Sequence, residues 1–194
     1  MRDCFLFLIA LLTVTVSNSQ EIELPKDVLK SFIFIQDLSG KPALVTQKAV
    51  YRFENKWFKT SFKNILTKKD SAAIYSYAFK NKTYAPVTFD NHIHLVLNGG
   101  GIVLELSNNE LKRIDNSVDQ KNQLGGAIFT YNNQPYNYGG YGFWKFKDYT
   151  TYYDKSSGQW EYLVSKSKNT PLGRWKMLFQ TIDNKLFVLG GRTS

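Results

Sequence analysis

His92 and His94 stand two positions apart in a short apolar run that reads as a β-strand, so both imidazoles project from one face, as a pair of metal ligands would. A pair is not a site. The 194-residue chain has no third histidine, its one cysteine, Cys4, lies near the start, and no carboxylate cluster flanks the pair in sequence. The two are therefore read as ordinary strand residues, and no metal, cofactor or catalytic residue is expected. A second group suits recognition rather than reaction. Tyr141, Phe143, Trp144 and Lys145 fall in one connection, and Lys166, Lys168 and Arg174 in another. Aromatics beside cations suit sugar stacking or protein recognition. Whether Phe143 and Trp144 face solvent or tuck beneath their loop is left open by the residue types.

The elements that must position these residues are short strands. Aromatic content is 15% and Pro is scarce, and the recurring unit is a short apolar run, a polar turn and another short run. Strands are expected at 31–35, 49–53, 57–62 and 74–79, with Glu54-Asn55-Lys56 and Asn81-Lys82 as turns. From residue 84 the pattern sharpens into hairpins: 84–89 and 92–97 around Asp90-Asn91, then 102–106 and 111–114 around 107–110. A further set follows at 127–131, 135–138, 149–153 and 160–164, and then 175–181 with 186–189 around Asp183-Asn184-Lys185. Four strands running up, down, up and down form the plan of one propeller blade. Glycine pairs close the second strand of each unit, at Gly99-Gly100, Gly139-Gly140 and Gly190-Gly191, with spacings of 40 and 51 residues.

At the N-terminus, Arg2 precedes an apolar run from Phe5 to Val16 that gives way to Ser17-Asn18-Ser19-Gln20. This reads as a secretory signal peptide over 1–19, cut near Gln20. The run is shorter than the ~20 apolar residues that a spanning helix needs, so no membrane span is expected. Export would remove Cys4, and the mature chain would then hold no disulfide, thiolate ligand or cysteine nucleophile. The product is expected to be secreted, periplasmic or displayed at the cell surface. Asn81-Lys82-Thr83 forms a glycosylation sequon for a eukaryotic host.

The formal net charge is +9. It reads first as a solvated lysine-rich surface, because the lysines are scattered among Asn, Ser and aromatics. The functional alternative is attraction to an anionic partner, an acidic polysaccharide or a cell surface, with nucleic acid not expected.

The segment 126–191 resembles the kelch repeat, in which an apolar strand ends in a Gly pair and is followed by a tyrosine, a tryptophan and a Pro-containing lead into the next unit. Pro135-Tyr136-Asn137-Tyr138-Gly139-Gly140 matches the strand and Gly pair, Tyr153 with Trp160 the aromatic pair, and Pro171-Leu172-Gly173-Arg174 the lead. The match is weaker over 84–125, and 20–83 carries no Gly pair and is read as a divergent blade or lead-in. The resemblance implies an all-β fold of four-stranded propeller blades over 84–194, with the last blade truncated. The ring is expected to be incomplete, since propellers have at least four blades and about three and a half fit here. In that reading Gly99, Gly100, Gly139, Gly140, Tyr153, Trp160, Gly190 and Gly191 hold the fold. Self-association through an open edge would be expected of an incomplete ring.

For function the resemblance implies an interaction module for a protein or a possibly acidic glycan. The alternative is a fragment of an exported kelch enzyme acting on carbohydrate. It would be similar to sialic-acid mutarotases or, less compatibly with a cysteine-free mature chain, to galactose oxidase.

Overall fold

The computed structural model describes residues 23–26, 28, 31–63, 83–117, 122–166 and 171–193. The expected signal peptide, Cys4, the cut near Gln20, the strand at 74–79, Asn81-Lys82 and Lys168 all lie outside the described residues. Those described contain strands and turns, with no helix among them and hence none long and apolar enough to cross a membrane.

Three four-stranded antiparallel sheets follow one another along the chain. The first joins β1 (Ile33–Gln36), β2 (Pro42–Val45), β3 (Ala49–Phe53) and β4 (Trp57–Ser61) in sequence order. The second joins β5 (Tyr84–Phe89), β6 (His92–Leu97), β7 (Val103–Ser107) and β8 (Glu110–Arg113) in the same way. The third contains β9 (Ala127–Tyr131), β10 (Gln134–Tyr138), β13 (Thr150–Asp154) and β14 (Gln159–Leu163), also as a meander. Between its second and third strands a miniature hairpin is inserted, β11 (Tyr141–Gly142) with β12 (Lys145–Phe146). The hairpin β15 (Leu178–Ile182) and β16 (Lys185–Leu189) comes last. No sheet closes on itself.

Two differences from the expected strands have local causes. β2 carries no clear sequence signal: its four residues open on Pro42, a residue tolerated at the first position of a strand but a poor mark of one. The strand expected from Trp175 begins only at Leu178, because Lys176 takes a φ of +53°, which breaks the extended path.

Period-two alternation lets each sheet bury both faces. On β6, Ile93, Leu95 and Leu97 point toward the first sheet and pack with Ile33, Ile35, Ala43, Val45 and Val50. From the other face of the second sheet, Val87, Phe89, Val96 and Val103 meet Ile128, Tyr153 and Trp160 of the third. The third sheet in turn packs Ala127 and Tyr138 against Met177, Leu186 and Val188 beside the β15–β16 hairpin. The outer face of the first sheet is covered by Leu24, Val28 and Phe32. Successive first strands also lie side by side, β1 against β5, β5 against β9 and β9 against β15. The second sheet is thus a buried slab, held from both sides by apolar contact.

Candidate functional site

Two-residue hairpin turns require both central residues at positive φ if the strands are to keep their natural twist, and Asn and Asp reach that region more easily than other side chains. Four such turns obey this rule: Asp90-Asn91, Asn108-Asn109, Asn132-Asn133 and Asp183-Asn184 all take φ values from +46° to +60°. A fifth, between β11 and β12, holds Phe143 at +48° and Trp144 at +63°. For bulky side chains this backbone is strained, at a cost of about 1–3 kcal/mol per residue. Nothing buried repays it, because Phe143 is 74% and Trp144 90% exposed. Of the two arrangements left open by sequence, the rings therefore take the solvent-facing one.

The base of this hairpin is fixed by close backbone packing. Leu124 and Tyr141 exchange both backbone hydrogen bonds, at 2.8 and 3.0 Å, and Gly140 N donates to Arg174 O at 2.7 Å. Gly140 has a φ of +93°, and a Cβ there would overlap the backbone of Gln123. Gly142 likewise lies against the backbone of Asn122, so no larger residue fits beneath the tip. Gln123, fully buried, donates from Nε2 to Asn137 O and Gly139 O and accepts from Thr151 Oγ1 at 2.7 Å. The arrangement recurs 51 positions on, where Trp175 and Arg192 exchange backbone hydrogen bonds beside Gly190-Gly191. All six residues of the three Gly pairs have positive φ. Crowding differs among them: a Cβ at Gly139 or Gly191 would meet neighbouring atoms at about 3 Å, whereas one at Gly190 would face open space.

Tyr153 and Trp160 are direct partners in the β13–β14 register and both are buried. Trp160 Nε1 donates to Gly101 O at 2.9 Å and Tyr153 OH donates to Ile114 O at 3.0 Å, so each ring crosses to the second sheet. Burial, reinforced by the charges of Asp115 and Asp154, pushes the Tyr153 phenol up to about 12. These two rings join sheets and present nothing to solvent.

Around the tip the structure assembles more than the sequence singles out. On one side, Lys147 Nζ sits 5.9 Å from the Phe143 and Tyr149 ring centroids. On the other, Tyr141 packs on Phe146 at 5.3 Å and on Trp175 at 6.2 Å, and Lys176 Nζ lies 4.3 Å from the Trp175 centroid. Lys145 is exposed on the same strand as Phe146. Lys147, Tyr149, Trp175 and Lys176 are not among the residues expected from sequence. The signal available is Tyr-Gly-Phe-Trp-Lys-Phe, a strand pattern with room for only a two-residue turn. Arg174, expected at the binding face, donates from Nη1 to Gly190 O at 2.7 Å and so braces the loop after β16. Lys166 is exposed.

His92 and His94 do share one side of β6, with ring centroids 6.4 Å apart. His94 is buried and stacked on Phe89 at 3.5 Å, with its Nε2 3.6 Å from Glu105 Oε2, too long for a hydrogen bond. Burial, only partly offset by Glu105, lowers its pKa to about 4, so the ring is neutral at pH 7. Among the described residues no three His, Cys, Asp or Glu side chains come together as a metal site would require. Compared with known proteins, the chain matches no family model and no curated protein at a significant level.

Proposed function

We propose that the chain is an exported, kelch-like propeller segment that works as a binding module for a protein or a glycan, with the β11–β12 hairpin tip as its contact point. The observation that carries this is the Phe143-Trp144 turn, where two large rings are held in solvent on a strained backbone. The propeller reading draws support from three consecutive four-stranded meanders packed face to face, with their first strands adjacent. Export rests on the apolar run at 5–16 and its small, polar flank.

The experiment is capture. Purified protein is screened against immobilised glycans and extracellular protein extracts, alongside a Phe143→Asn/Trp144→Asn double variant whose thermal unfolding is checked. A ligand held by the native chain and lost by the folded variant supports the module. Ligands held equally by both would place recognition elsewhere and sink this reading.

A further inference from the structure

The residues around the tip narrow the ligand to one chemical class. From Tyr141 to Tyr149 every side chain other than Gly142 is aromatic, cationic or, in the single case of Asp148, acidic. Three cations lie about the hairpin: Lys145 exposed on β12, Lys147 beside Phe143 and Lys176 over Trp175. None of the three forms an ion pair with a carboxylate among the described residues, although paired lysines do occur elsewhere, as in Lys155 with Asp90 at 2.8 Å. Lys147 lies near two rings and Lys176 over a third, so unneutralised charge and aromatic faces alternate across the site. Aromatic faces stack on the apolar faces of pyranose rings, whereas lysines act as point charges for carboxylate or sulfate groups. A neutral sugar would leave these three charges without a partner, whereas an anionic one neutralises them.

We infer that the tip binds an acidic polysaccharide, its sugar rings resting on Phe143 and Trp144 and its anionic groups on Lys145, Lys147 and Lys176. This rests on the binding-module reading and specifies its ligand. The chain's net charge of +9 adds long-range attraction to the same partner.

The test is affinity electrophoresis and calorimetry of the whole chain with four polymers: polygalacturonate, dextran sulfate, unmodified dextran and a DNA duplex. Anionic phosphatidylglycerol vesicles serve as a fifth probe. Two variants accompany it, Phe143→Asn/Trp144→Asn and Lys145→Gln/Lys147→Gln/Lys176→Gln, each verified as folded. The expected result is binding of polygalacturonate or dextran sulfate in preference to dextran, DNA and vesicles. The aromatic variant should weaken it by roughly tenfold with its salt dependence retained, and the lysine variant should flatten the salt dependence. Carboxylate and sulfate are separated by which of the two acidic polymers binds. Equal binding of dextran, through the tip, would overturn the acidic assignment while leaving the module intact. DNA bound as tightly as the acidic glycans, with no loss in the aromatic variant, would reduce the effect to bulk charge and overturn it. Preference for vesicles would overturn it in favour of a lipid surface. If no polymer binds while the tip still captures a protein, only the glycan inference falls; if the tip captures nothing in either experiment, both fall.

Discussion

Trp144 and Trp160 lie sixteen residues apart, on either side of the strand β13, and the chain uses them in opposite ways. Trp160 spans two sheets, buried to 5% exposure with its indole N–H bonded to Gly101, while Trp144 stands 90% exposed at the end of a two-residue turn. The difference lies in the backbone beneath each ring. Trp160 sits on regular strand at a position where alternation points it inward, whereas Trp144 occupies a turn position that four other hairpins fill with asparagine. A large aromatic is an anchor where strand geometry aims it at a neighbouring sheet, and a probe where the turn holds it away from one.

The largest effect should separate the two tryptophans directly. Trp160→Ala removes a buried ring and leaves Gly101 O without its donor, and should cost about 3–5 kcal/mol in denaturant unfolding. Trp144→Ala should leave stability unchanged within about 0.5 kcal/mol. Equal losses would break the contrast.

Acid should next weaken the buried slab before it touches the tip. His94 binds a proton at its ordinary pKa of 6.5 when unfolded but only near 4 when folded, so its contribution to stability is complete above 6.5 and is lost as pH falls toward 4. The full span corresponds to on the order of 3 kcal/mol. Thermal unfolding from pH 7 to 4 should show this slope, and His94→Leu should flatten it; an unchanged slope in the variant would assign the acid sensitivity to another group.

Glycines offer a smaller but sharper comparison. Gly140→Ala forces a side chain into the Gln123 backbone and should cost about 2 kcal/mol or more. Gly190→Ala meets open space at a positive φ and should cost only about 1 kcal/mol. Equal costs, measured by urea unfolding, would mean that conformation alone and not close approach decides the Gly pairs.

The smallest change carries most weight for function. Replacing Phe143-Trp144 by Asn-Gly should raise stability by about 1–2 kcal/mol, because the turn then matches its backbone. The same variant should lose ligand. A variant that loses stability would show that the rings support the fold after all.

Much of the strand pattern is legible in the sequence. Runs such as 84–89, 92–97 and 127–131 are short and apolar between polar turns, and Asp-Asn or Asn-Asn at the turns is a strong local signal, so those strands match residue for residue. β2 is hidden because Pro42 opens it and four residues are too few to show a period. The candidate site is half legible. Phe143, Trp144 and Lys145 stand out by type, but that Arg174 also reaches Gly190 O is invisible in the sequence, since the contact is made across sixteen residues. Lys147, Trp175 and Lys176 escape a reading by type because they join the tip only through ring contacts between separate segments.

Local chemistry therefore determined most of the strands, the Asn- and Asp-based turns and the left-handed glycines, because each depends on the φ preferences and apolar spacing of a few adjacent residues. Only the tertiary structure decided that Phe143 and Trp144 face solvent, which rings gather around them, and which cations remain unpaired among the described residues. Those properties depend on which sheet lies across from a given side chain, and that distance is set by packing between segments far apart in the chain.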